Sequence, residues 1–122
     1  MKPSSFRVIG DPVGYTRLTQ RGRFTARAKK YHAYMVAVQV EARKAGLRLP
    51  LVATEVDHLR VDVYCTFSSR RHSDPENVRK GIIDALFYGG KGDKYCYGYH
   101  AAPRYGINPQ VLVMIGAEEI LY

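Results

Sequence analysis

The clearest periodicity in the chain is a strict alternation over residues 59–67, where Leu59, Val61, Val63, Cys65 and Phe67 interleave with Arg60, Asp62, Tyr64 and Thr66. A two-residue period puts one set on each face of a strand, so this stretch predicts a half-buried β-strand. A shorter pattern at residues 5–9 predicts another strand, stopped by Gly10-Asp11-Pro12. Over residues 26–45 the period changes. Tyr31, Tyr34, Met35, Val38, Ala42 and Ala45 share one face of a helix, with Thr25 placed to cap its start and Gly46 to end it. The segment "GYTRLTQRGRF" before that helix carries neither period and predicts a long cationic loop.

A second helix has a clean start, with Asp74 at the N-cap and Pro75 at the first helical position, and runs to about Phe87 before Gly89-Gly90. At about 100° per residue, Val78, Ile82, Ala85 and Leu86 form its buried stripe, and Glu76, Lys80 and Asp84 lie opposite. Residues 95–99 read as either a strand or an aromatic loop, and 110–115 as a buried strand. The succession strand, helix, strand, helix, strand, strand predicts one α/β (α+β) domain over residues 1–122, with a mixed sheet of about four strands and two main helices.

Composition narrows the class. With 46% hydrophobic and 25% charged residues, neither disorder nor a fibrous repeat is favoured. No apolar run approaches the roughly 20 residues of a membrane span, and no signal-peptide core follows Met1, so a cytoplasmic protein without a membrane partner is expected. Cys65 and Cys96 lack CxxC spacing and read as reduced packing residues.

Net charge adds the first functional clue. A balance of +8 favours a polyanionic partner such as nucleic acid over mere solubility. The cations are concentrated: the first fifty residues hold eleven Lys and Arg, Arg17, Arg21 and Arg23 among them, against only Asp11 and Glu41. Several smaller constellations carry less. "GGKGDK" lacks the Ser or Thr and the following helix that a phosphate-binding loop needs. His58, His72 and His100 show no zinc spacing and read as surface or strand residues. "KYCYGYHAAPRY" interleaves Tyr95, Tyr97, Tyr99 and Tyr105 with Lys94 and Arg104, a pattern that fits stacking on unpaired bases and fits strand packing equally well.

Within this basic chain "SDPEN" sets two carboxylates one residue apart. Asp74 as a cap and Glu76 as a complement to the helix dipole account for both structurally. Two carboxylates at the end of a strand and the start of a helix also converge readily on a hard cation such as Mg²⁺, with Asp93 from the loop after the helix as third acid. A metal held inside a phosphate-attracting surface is what polarising a phosphodiester and activating water requires.

The stretch "RRHSDPENVRKGIIDAL", with the strand "LRVDVYCTF" before it and the earlier "RLTQRGRFTARAKKYHAY", resembles the RusA-type Holliday junction resolvases. Their pattern is Asp-x-Asp-Asn-x-x-Lys-x-x-x-Asp-Ala-Leu, and the resemblance covers most of the chain. It implies a homodimeric endonuclease that binds four-way DNA junctions and, with Mg²⁺ or Mn²⁺ in its place, makes paired symmetrical nicks in recombination and repair. By the same resemblance Asp74, Glu76 and Asp93 are catalytic metal ligands, Asn77 and Lys80 the polar pair, and Asp84 the later helical acid. Lys80 steadies a carboxylate or reaches the scissile phosphate, its plain alternative being a salt bridge to Glu76. Arg17, Arg21, Arg23, Arg70, Arg71 and Asn77 are expected on DNA. Two departures stand out: Glu76 where the family has Asp, and Asp93-Lys94 where it has paired Asp. A non-catalytic nucleic-acid-binding protein and a nuclease for other branched DNA are the competing expectations.

Overall fold

The computed structural model describes residues 2–17 and 25–118. The alternating stretch becomes the central strand of a five-stranded mixed sheet. In chain order the elements are β1 (Ser4–Ile9), α1 (Ala26–Lys44), β2 (Leu59–Phe67), α2 (Pro75–Phe87), a 3₁₀ turn (Asp93–Tyr95), β3 (Cys96–Tyr97), β4 (Arg104–Tyr105) and β5 (Gln110–Ala117). The spatial order is β1-β5-β2-β3, with β4 also on β2. β5 runs antiparallel to both β1 and β2, whereas β3 and β4 run parallel to β2.

Register puts the apolar positions of three strands in rows: Phe6 with Val113 and Val63, Val8 with Val111 and Cys65. All six are buried, so they define one face of the sheet. Both helices lie on that face. α1 contributes Tyr31, Met35, Val38 and Ala42, and α2 contributes Val78, Ile82, Ala85 and Leu86. Burying side chains of this size contributes about 1.5–3 kcal/mol each, the main reason the strands and helices stay in two layers. Their intervening positions, Arg7, Tyr64, Leu112 and Met114 among them, fall on the opposite face.

The predicted caps are present. The Thr25 hydroxyl accepts from the Ala28 amide at 3.1 Å, and Gly46 ends α1 with φ of 91°. Ala45, expected on the buried stripe, is exposed, because α1 stops at Lys44 and Ala45 serves as its C-cap. The strand total exceeds the expected four because β3 stands within residues 95–99, read as a strand or a loop, and the two-residue β4 lies beyond them where no strand was read. Both cysteines are free, and burial pushes their thiols up, Cys65 to about 12 and Cys96 to about 11, as unreactive packing residues require. No described helix is long and apolar enough to cross a membrane.

Candidate metal site and cationic groove

Asp74 sits where the chain turns from β2 into α2. One carboxylate oxygen, Oδ1, accepts from the Glu76 amide at 3.0 Å and so caps the helix. A carboxylate has two oxygens, so the cap leaves Oδ2 available. Glu76 lies in the first helical turn, exposed like Asp74. The third member arrives from elsewhere: His100 is brought beside them, and ligand atoms of Asp74, Glu76 and His100 all lie within 4.8 Å of one another. Two carboxylates and an imidazole at that spacing can hold a metal ion.

The edge of the sheet positions His100. The Val63 amide donates to the Tyr99 carbonyl at 3.0 Å, and the Ala101 amide donates to the Val63 carbonyl at 3.0 Å. These bonds clamp His100 opposite Val63, a residue of the helix-covered face. Next to it, the Tyr99 amide donates to Asp62 Oδ1 at 3.0 Å. Arg79 ties the helix to this edge, its Nε donating to the Val61 carbonyl at 3.0 Å and its NH2 group to the Tyr97 carbonyl at 2.8 Å. The backbone at Gly98 takes φ of 128°, where an added Cβ would fall against the Val61 carbonyl. Only glycine fits there without strain.

Asp93 is not brought into this group. It opens the 3₁₀ turn just ahead of Cys96, which pairs with Leu59 at the start of β2. His100 pairs four residues further on, about 13 Å along the strand. The acid expected from the loop after the helix is thus not in the cluster, where a histidine from the following edge segment stands instead. No local spacing marked it, because the parallel pairing that delivers it spans 37 residues from Val63.

The remaining expected residues divide. Arg71 lines a groove of about 710 Å³ that also takes in Arg27 and Lys30 from the first two turns of α1, Ser68, Ser69, His72 and Ser73 from the β2–α2 loop, and Asp74 itself. The first turns of both helices thus border one cationic hollow, where their dipoles add to the attraction for anions. Arg70 stands over the Tyr105 ring at 4.5 Å, and Arg17 is exposed. Arg21 and Arg23 lie outside the described residues. Asn77 is part-buried: its side-chain amide donates to the Tyr15 carbonyl at 3.1 Å while its own carbonyl accepts from the Tyr15 amide at 3.0 Å. It fastens the loop after β1 to α2 and also lines the groove. The Lys80 ammonium lies 4.3 Å from the centre of the Tyr15 ring, which replaces the expected Glu76 salt bridge with a cation–π contact. Asp84 accepts from the Tyr31 hydroxyl at 3.0 Å and serves as a strut between the helices.

The groove walls are held by two local networks. Asp11 accepts from the Ser68 hydroxyl at 2.6 Å and from the Ser68 amide at 2.8 Å, and these bonds hold its carboxyl below the usual carboxylate range. The His72 ring stacks on Phe67 with centroids 3.8 Å apart. Its Nδ1 lies 2.7 Å from the Ser73 carbonyl and must donate to it, and its Nε2 lies 2.7 Å from the Tyr105 hydroxyl. A scan against protein-family models and a search of curated proteins each find no match.

Proposed function

We propose that this chain is a divalent-metal-dependent endonuclease for branched DNA, with the four-way junction as its principal substrate. The observation that carries the reading is the Asp74, Glu76 and His100 triplet, set at the rim of a cationic groove in a chain of net charge +8. Acids that were only structural would not be expected to gather a histidine from another element beside a phosphate-attracting hollow. The carboxylates of the donor set suit Mg²⁺ or Mn²⁺, and its imidazole shifts preference from Mg²⁺ toward transition-metal ions. Such an ion supplies Lewis-acid polarisation of the scissile phosphate and a water of lowered pKa.

The rest falls to the chain's own groups. Arg71, Arg27 and Lys30 hold backbone phosphates in the groove, contacts that position without reading sequence. Lys80, exposed one turn beyond Glu76 and resting over the Tyr15 ring, would have to leave that ring to balance negative charge developing at the phosphate. Paired nicks across a two-fold junction need two equivalent sites, which a C2 homodimer supplies.

The test is incubation of the protein with an end-labelled four-way junction and with linear duplex of matching sequence, in Mg²⁺, in Mn²⁺ and in chelator. Symmetrical metal-dependent nicks on the junction, with the duplex intact, are expected. Binding without cleavage in either metal would return the chain to the class of non-catalytic nucleic-acid-binding proteins.

A further inference from the structure

We infer that the helix-free face of the sheet binds single-stranded nucleic acid, with Tyr64 and Tyr99 as its stacking residues and Arg7 and Arg104 as its phosphate contacts. This extends the nucleic-acid part of the proposed function to a second surface, and it stands or falls without the metal site. All the buried strand residues point to the helices, so every alternate position faces the other way, where no described element packs. That face is neither a polar solvated surface nor a dry hydrophobic one. Tyr64 and Tyr99 meet on it edge to face, centroids 5.7 Å apart, with their hydroxyls 3.0 Å from each other. Tyr99 remains 44% exposed and Met114 46%.

Charge decides the occupant. Arg60 is neutralised by Asp62 at 2.9 Å and Glu118 at 3.4 Å. Among the described residues Arg7 bonds only to the neutral Gln110, at 2.9 Å, with no acid paired to it. Arg104 pairs in register with Thr66 and so shares its face. Arg7, Tyr64, Thr66, Arg104 and Leu112 border one shallow depression of about 310 Å³. Rings flanked by uncompensated arginines suit a strand whose bases are free to stack and whose phosphates are not; duplex DNA offers no unstacked base to a flat sheet. The face is also continuous with the metal site across a single residue, since Tyr99 belongs to it and His100 to the carboxylates. An unpaired strand lying on the sheet therefore leads over its edge to the cutting position.

Anisotropy of a labelled 20-nucleotide oligothymidine, titrated with the full chain in chelator, tests this. Tyr99→Ala should weaken binding by about 5- to 150-fold, the value of losing one base stack, and Tyr99→Phe should restore it. Arg104→Ala, on an exposed residue, should lower the slope of log K against log salt by about 0.7. Asp74→Asn should leave oligothymidine affinity at or above the parental value, so loss of cleavage and loss of strand binding report on separate surfaces. Parental affinity and slope in both Tyr99→Ala and Arg104→Ala would overturn the inference. So would a Tyr99→Ala defect that appears only as dissociation of a dimer in sedimentation, because the face would then be an interface between copies of the chain.

Discussion

At the scale of single residues, Asp74 shows why a cap and a ligand are not rival explanations. One oxygen accepts from the Glu76 amide, and the carboxylate as a whole still stands within 4.8 Å of its Glu76 and His100 neighbours. Substitutions separate the two jobs. Asp74→Asn keeps a capping oxygen and should change stability by less than about 0.5 kcal/mol, whereas Asp74→Ala should cost about 1 kcal/mol. Both should weaken Mn²⁺ binding, measured by titration calorimetry, by at least the roughly 10- to 100-fold that loss of a mere outer-shell partner costs. His100→Ala should behave likewise, and Asp93→Asn should bind as the parent does. If Asp93→Asn loses the metal while His100→Ala keeps it, the ligand set is wrong. Asp74 and Glu76 were legible in sequence because their spacing is local, one residue apart at the start of a helix with a readable cap. His100 was not: it belongs to no recognisable ligand spacing, and its place beside the carboxylates depends on a parallel pairing to a strand far back in the chain.

The elements repeat that division. β1, β2, both helices and β5 were visible because each carries its own period and its own stop. The edge that completes the sheet was not, since β3 and β4 pair over two residues each and the chain between them follows no alternation of apolar and polar positions. What holds that edge is a set of individual contacts, Arg79 to two carbonyls, Asp62 to the Tyr99 amide, and glycine at position 98. Gly98→Ala should therefore cost about 3 kcal/mol or more in urea unfolding, from a strained φ and a crowded carbonyl. It should also weaken metal binding although it touches no ligand. An unchanged midpoint and affinity would mean the edge is held by something else.

For the whole molecule, the distribution of charge and the proposed cutting of two strands set the expectation of assembly. Among the described residues one copy offers one triplet, so the proposed paired cuts require two copies with their grooves related by a two-fold axis. Sedimentation should report a dimer at micromolar concentration, and a strictly monomeric species that still nicks both strands symmetrically would contradict the scheme. The strongly basic N-terminal half was plain from the sequence, but its convergence with α2 on one groove was not, because it depends on how α1 lies across the sheet.

The clamp on Val63 has a further consequence, which concerns parity. Tyr99 and His100 are neighbours that serve opposite faces, so their assignment depends on whether the count of residues from the 3₁₀ turn is odd or even. Deleting one residue from that run would send the imidazole to the open sheet and carry Tyr99 to the position of Gly98, which only glycine fits, so both surfaces would fail together. Deleting two would return each to its own face but leave His100 about 7 Å short of the carboxylates along β2. Related chains that preserve both surfaces are thus constrained to keep the length of this segment, a restriction that no comparison of residue types alone would disclose.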